Sequence, residues 1–324
     1  MTSDNGTSVR TPTRAAVLIT TKDRRDDLRK ALASCVEQTA SPSIVVVDDG
    51  SADDTSDMVR ADFPGVRLIR NETPLGIIAG RNRAAEVIRV ETDADVMFTL
   101  DDDAIYTTPD TVERALAHFD HERIGAVAIP LVNFVEDRRD ELDHIDWAGE
   151  PDWPVFFSFR GGANALRLDL FEHLGGYDGR GRQGEESAYG MRLLMAGRVI
   201  RAGDLPAVHH FPHPVKRDKG EILAFAARNA TTFAWRFAPL SRLPLRVAGV
   251  GVNHVRAGLR DGRAMKGASG FARGLMDVPG CGRDPATPRV YRLSRRLIRE
   301  IAVPWSRVEP ELPAMSGPRL LAPA

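Results

Sequence analysis

Short apolar runs of strand length alternate with amphipathic stretches of helix length through the first part of the chain. Ala15–Thr20, Ile44–Asp48, Val66–Ile69, Val96–Leu100 and Ile124–Ile129 are rich in Val, Ile and Leu, as strands covered on both faces require. Between them, Asp26–Gln38, Asp53–Asp62, Gly80–Arg89 and Asp110–His121 carry apolar residues at helical spacing. The alternation predicts an α/β fold: a doubly wound, mostly parallel sheet with helices on both faces. From about Arg138 to Pro154 the pattern dissolves into charged loop, then resumes with an apolar run at Val155–Phe159 and a helix opening near Glu185. After Pro214 the spacing predicts helices over Lys219–Phe237, Leu243–Leu259 and Pro288–Ile301. The tail from Pro304 is proline-rich and is expected to be disordered.

Composition narrows the function. The chain has 324 residues, with 44 Lys and Arg against 45 Asp and Glu, so its net charge of −1 argues against a nucleic-acid-binding protein. The balance is uneven, since Arg242 to Arg307 is rich in arginine and poor in acids. Cys35 and Cys281 lie far apart, without metal-ligand spacing, and read as thiols in a reducing compartment. Met1 to Thr13 contain no apolar signal-peptide core, and Leu243–Leu259 is interrupted by Arg246, His254 and Arg256. The expectation is a cytoplasmic protein, at the inner face of the membrane if its basic C-terminal helices make a peripheral lipid contact. A basic solvated face packed on the rest of the chain is the plainer expectation for Tyr291–Arg299.

In a parallel α/β sheet, ligands bind outside the carboxyl ends of the strands. Three polar clusters fall at such ends: Thr20-Thr21-Lys22-Asp23, Asp48-Asp49-Gly50-Ser51 and Asp101-Asp102-Asp103. The aspartate triplet follows the apolar run Val96–Leu100, and carboxylates crowded there repel one another unless a cation binds. The loop after the first strand has no glycine, which disfavours dinucleotide cofactors, and there is no Gly-Lys-Ser/Thr phosphate loop. An Asp-Gly turn explains Gly50 and Ser51 but leaves the two aspartates before them without a task. Gly76 and Gly80-Arg81 open a helix and suit a diphosphate, although a plain helix start accounts for them equally well. Trp147, Trp153 and Trp235 are expected to pack in the core or rim.

Taken in order, Leu18-Ile19-Thr20-Thr21-Lys22-Asp23-Arg24, Val47-Asp48-Asp49-Gly50-Ser51, Leu75-Gly76-x-x-x-Gly80-Arg81-Asn82 and Leu100-Asp101-Asp102-Asp103-Ala104 resemble the nucleotide-sugar half of family 2 inverting glycosyltransferases of GT-A fold. Gly161-Gly162-Ala163-Asn164, Gly175-Gly176-Tyr177-Asp178 and Gly184-Glu185-Glu186 continue the resemblance, which covers about residues 14 to 240. It implies a nucleotide-sugar-binding half over 14–130 and an acceptor-binding, catalytic half over 131–214, after a polar tail over 1–13 that is expected to be disordered. A helical extension over 215–303 and a disordered tail over 304–324 complete the expected organisation.

The resemblance also implies roles. Thr20, Asp23 and Asp49 would contact the nucleoside, Arg81 the base or diphosphate, and Asp102 the ribose. Asp101 and Asp103 would hold Mn2+ or Mg2+ against the diphosphate. The histidines in Val208-His209-His210-Phe211-Pro212-His213 suit a metal ligand, a phosphate or acceptor contact, or plain loop positions, and His209 is favoured over His210 as a further ligand. Asp101 and Asp102 remain interchangeable at this stage. Glu186 stands where the family carries its catalytic base, usually an aspartate, and Ala188 and Tyr189 replace the family's usual acid-leucine pair. The implied donor is a nucleotide-diphosphate sugar, and the acceptor is a saccharide, a lipid-linked saccharide or a secondary metabolite. The alternatives are a sugar-nucleotidyltransferase, which would need a glycine-rich loop after the first strand, and a non-catalytic binding or scaffold protein.

Overall fold

The computed structural model describes residues 13–135, 138–142, 152–178, 184–212, 218–260 and 262–317. The expectations for Trp147, His213 and most of the two terminal tails lie outside these residues. The first part of the chain runs β1 (Ala15–Thr21), α1 (Arg25–Val36), β2 (Ser43–Asp48), α2 (Thr55–Asp62), β3 (Arg67–Arg70), α3 (Ile77–Glu91) and β4 (Val96–Leu100). Alternate residues of β1 feed two core layers. Val17 and Ile19 pack in one layer with Leu28 and Leu32 of α1, while Ala16 and Leu18 pack in the other with Ile78, Ala84 and Ile88 of α3. The buried face of α1, Leu28-Ala31-Leu32-Cys35, follows the three-and-four spacing read from sequence.

The chain continues through β5 (Ala104–Ile105), α4 (Thr111–Ala117), β6 (Ile124–Ala128), β7 (Leu131–Val135), β8 (Arg138–Leu142), β9 (Pro154–Phe156), β10 (Ala163–Arg167), α5 (Leu168–His173), α6 (Glu185–Met195), β11 (Val199–Ala202) and β12 (Val208–His210). It ends with α7 (Lys219–Phe237), α8 (Leu243–Arg260), α9 (Ala264–Asp277), α10 (Pro288–Glu300), β13 (Ala302–Pro304) and α11 (Trp305–Val308). The large sheet has the order β13-β9-β11-β6-β10-β4-β1-β2-β3. The stretch β4-β1-β2-β3 is parallel, as the first part of the sequence predicts. Beyond it β10 inserts antiparallel between β4 and β6, which makes the whole sheet mixed. A second sheet, β5-β12-β7-β8, starts just after β4 in the chain and, through His210, supplies a wall of the site.

Two stretches depart from the sequence expectation. Helix α9 was hidden by Gly267, Gly270 and Gly274, because each interior glycine costs roughly 1 kcal/mol of helix propensity against alanine. Packing explains those glycines: a Cβ on Gly270 would lie 2.1 Å from the Ala224 carbonyl oxygen of α7, and one on Gly267 2.4 Å from that of His254 on α8. The second departure is the segment after Pro304, expected to be disordered. Trp305 stacks on Trp153 at 4.6 Å, its amide donates to the Trp153 carbonyl at 3.0 Å, and Val308 and Leu312 are buried. Aromatic and aliphatic burial outweighs the prolines there.

Candidate active site

Strands β1, β2 and β4 end side by side, and their following turns line one crevice. Two adjoining cavities, of about 640 and about 1040 Å3, occupy it and share Lys22, Asp49, Gly76, Ile77 and Asp101. The smaller is walled by Thr20, Arg24, Asp101, Asp102, Asp103 and His210, and the larger by Arg81, Gly161, Gly162, Glu185 and Glu186.

Asp101, Asp103 and His210 each offer one ligand atom, all within 4.8 Å of one another. The cross-sheet makes this meeting possible: β12 pairs antiparallel with β5, setting His210 opposite Ala104, and the Phe211 amide donates to the Asp103 carbonyl at 2.8 Å. His210 Nε2 then lies 3.0 Å from Asp103 Oδ1 and 3.9 Å from Asp101 Oδ2. This corrects the expectation for His209. Neighbouring strand residues face opposite ways, and the His209 ring packs on Phe134, with centroids 4.7 Å apart.

Arg24 sits on the other oxygen of Asp103, at 2.5 Å, and 3.3 Å from Asp102. Burial opposes ionisation of Asp103, but His210 and Arg24 outweigh it and hold the carboxyl below its usual range. Asp102 behaves differently. Burial pushes its carboxyl up to about 7 despite Arg24 and a hydrogen bond with Thr21, and it stands outside the three-ligand cluster. The geometry thereby separates Asp101 from Asp102.

Asp49 accepts hydrogen bonds from the amides of Leu75 (2.7 Å) and Gly76 (2.8 Å) and from Asn71 Nδ2 (2.8 Å). Burial works against its charge, but these donors prevail and lower its pKa. Thr20 lines the smaller cavity. Asp23 does not line either cavity: its backbone is left-handed, at φ 53°, and its carboxylate accepts from the Ala52 amide at 2.6 Å. In this structure it ties the loop after β1 to the loop after β2.

Arg81 is largely buried in the wall of the larger cavity. Its guanidinium donates to Asp101 Oδ1 at 2.9 Å, lies 3.4 Å from Glu185 Oε1, and is 4.0 Å from Glu186 Oε1. One cation therefore joins Asp101 of the Asp101–Asp103–His210 cluster to both acids at the start of α6. Burial, followed by the neighbouring Glu185 charge, raises the Glu186 carboxyl to about 7. Sequence reasoning missed the depth of Arg81 and the task of Gly161-Gly162. A Cβ on Gly162 would stand 2.2 Å from Asp101 Oδ2, and one on Gly161 2.5 Å from Glu186 Oε1. A side chain at either position would push these carboxylates from where they stand.

A crevice at parallel strand ends, an acid pair joined to a histidine, and a glutamate beside them define a GT-A-type site. Residues 16–176 match the model described as glycosyl transferase family 2, and the chain belongs to that family. A stretch is 33% identical over 79 residues to the succinoglycan biosynthesis protein ExoU of Rhizobium meliloti (strain 1021), covering 24% of this chain and 23% of that protein. Another is 32% identical over 122 residues to an uncharacterized protein of Mycobacterium tuberculosis (strain CDC 1551 / Oshkosh), covering 37% of this chain and 34% of that one. These matches span about a quarter and a third of the relatives' own length.

Among solved structures, the fold is shared with the mannosyltransferase PcManGT from Pyrobaculum calidifontis, solved with GDP-Man and Mn2+. There the TM-score is 0.55 and the identity 18%, over 94% of this chain and 86% of that one. It is shared too with GalNAc-T7, solved with UDP, GalNAc and Mn2+, at TM-score 0.54 and 18% identity over 69% of this chain and 48% of that one.

Proposed function

We propose that the protein is a metal-dependent inverting glycosyltransferase, moving a sugar from a nucleotide-diphosphate sugar to an acceptor hydroxyl. The observation that carries this reading is the Asp101–Asp103–His210 cluster held on Arg81 with Glu186. Two carboxylates and an imidazole fit Mn2+ better than Mg2+, which prefers an all-oxygen shell. Bound there, the ion would neutralise charge on the departing diphosphate as a Lewis acid. Asp49 and Thr20 lie where the nucleoside would enter. Glu186 takes the acceptor proton, the freed oxygen attacks the anomeric carbon opposite the nucleotide, and the sugar–phosphate bond breaks. The experiment is a thermal-shift panel of UDP-, dTDP- and GDP-sugars with and without Mn2+, followed by turnover of the donor that responds. A Mn2+-dependent shift and nucleotide release are expected; the absence of any donor response would remove the reading.

The raised Glu186 pKa has a signed consequence. A base must be ionised, and its ionised fraction falls as pH drops through about 7. Transfer is therefore expected to be level above pH 7 and to fall toward tenfold per unit below it, measured as kcat/KM. A profile level down to pH 5 would contradict the raised Glu186 pKa.

The helical extension bears on partners. Among the described residues no helix is long and apolar enough to cross a membrane. On α10 the apolar residues Val290, Leu293 and Leu297 are buried, and Arg289, Arg292 and Arg299 are exposed on the opposite face. Helix α8 differs: Leu245, Val252 and Leu259 recur every seven residues and are 75%, 49% and 65% exposed, beside exposed Arg242, Arg256 and Arg260. The sequence has no acid between Glu221 and Asp261. We propose that this stripe rests on an anionic lipid surface. Co-sedimentation with phosphatidylglycerol vesicles should exceed that with phosphatidylcholine and should drop for Val252→Glu; equal partition to both lipids would refute the contact.

A further inference from the structure

Beside the first turn of α6 lies a cavity of about 560 Å3 that the transfer steps do not use. Phe156, Phe157, Phe233 and Leu297 give it apolar walls. Arg246 from α8 and Arg295 from α10 both line it. Among the described residues, neither guanidinium has a hydrogen-bonding or anionic partner. Arg295 is disfavoured as a cation first by burial and then by the charge of Arg246. Two cations facing one apolar space without a counterion are costly to hold. They fit a ligand that brings the missing negative charge.

The cavity shares no lining residue with the smaller crevice cavity at Asp101, Asp103 and His210, so the anion is not the donor diphosphate. Gly184 and Ser187, at the start of α6, line it, so its occupant would lie beside the helix turn that carries Glu186. Its lip is apolar and open: Ile298 is 39% exposed and Ile301 64%, with the β-branched Ile301 held at φ 64°, a backbone conformation such side chains avoid. Leu245, next to Arg246, carries the apolar surface on along α8.

We infer that this cavity binds the phosphate or diphosphate of an acceptor carried on an apolar chain, with Arg246 and Arg295 on the anion and Ile298 and Ile301 along the chain. Naming the ligand as acceptor rests on the glycosyltransferase reading; the binding itself does not.

The probe is farnesyl diphosphate, titrated calorimetrically into the full chain with EDTA and no donor, which keeps it from metal-assisted binding at Asp101 and Asp103. Inorganic diphosphate and farnesol are the separate arms. Farnesyl diphosphate is expected to bind more tightly than either arm. Arg246→Gln and Arg295→Gln should each weaken it about tenfold, and Arg295→Lys by less. The donor response in Mn2+ should persist in all three variants, which shows that they fold. Unchanged farnesyl diphosphate binding in both glutamine variants would overturn the site. Inorganic diphosphate binding as tightly as the farnesyl form would overturn the apolar-chain assignment. Because the titration needs neither donor nor turnover, a failed site leaves the transfer reading standing, and absent turnover leaves this binding in place.

Discussion

Glu186→Gln is expected to bind donor and Mn2+ as the parent chain does and to transfer sugar roughly 10²–10⁴-fold more slowly, the usual worth of a positioned base. The amide keeps the side chain's size and its place near Arg81 but cannot accept the acceptor's proton. The neighbouring Glu185 is no ready substitute. It is buried, its Oε1 lies 3.4 Å from Arg81, and its Oε2 has no hydrogen-bond partner among the described residues. The readout is kcat, with donor affinity measured separately. Near-normal kcat would move the base elsewhere, with Glu185→Gln as the next variant to test.

The second large effect is expected from Asp103→Asn. Donor binding in Mn2+ should weaken about 100-fold or more, beyond what losing an outer-shell partner of a metal ligand brings, and should become indifferent to added metal. Asp103 holds His210 on one oxygen and Arg24 on the other, so an amide there disturbs both partners as well as removing a carboxylate from the cluster. Comparison with Asp102→Asn separates the two aspartates. Asp102 stands outside the three-ligand cluster, and its substitution should leave the metal dependence of donor binding in place. Metal-dependent binding retained by Asp103→Asn and lost by Asp102→Asn would reverse the assignment.

How much of this was legible in the sequence depends on what each feature needs. The parallel strands β1 to β4 and helices α1 to α3 were legible because valine-rich runs and three-and-four spacing are local signals. The aspartate triplet was legible because carboxylates rarely end a buried strand without a task. The choice between His209 and His210 was not, since a three-residue strand carries no pattern to set its phase. Pairing with Ala104–Ile105, far away in sequence, decides it. The depth of Arg81 was hidden too, because its partners Asp101, Glu185 and Glu186 come from a strand end and a helix start that sequence spacing does not bring together. Helix α9 escaped because its glycines serve contacts with α7 and α8 rather than helix propensity. Asp23 has a feature its motif did not announce: its carboxylate accepts from the Ala52 amide, across two loops.

The central claim is that Asp101, Asp103 and His210 together hold the cation that faces the donor diphosphate. Pulsed electron paramagnetic resonance of Mn2+ added to the protein with a nucleoside diphosphate tests it most directly. The parent chain should show nitrogen coupling from one imidazole. That coupling should vanish in His210→Ala and survive in His209→Ala. A spectrum without nitrogen coupling, or coupling lost with His209 and kept without His210, would contradict the claim.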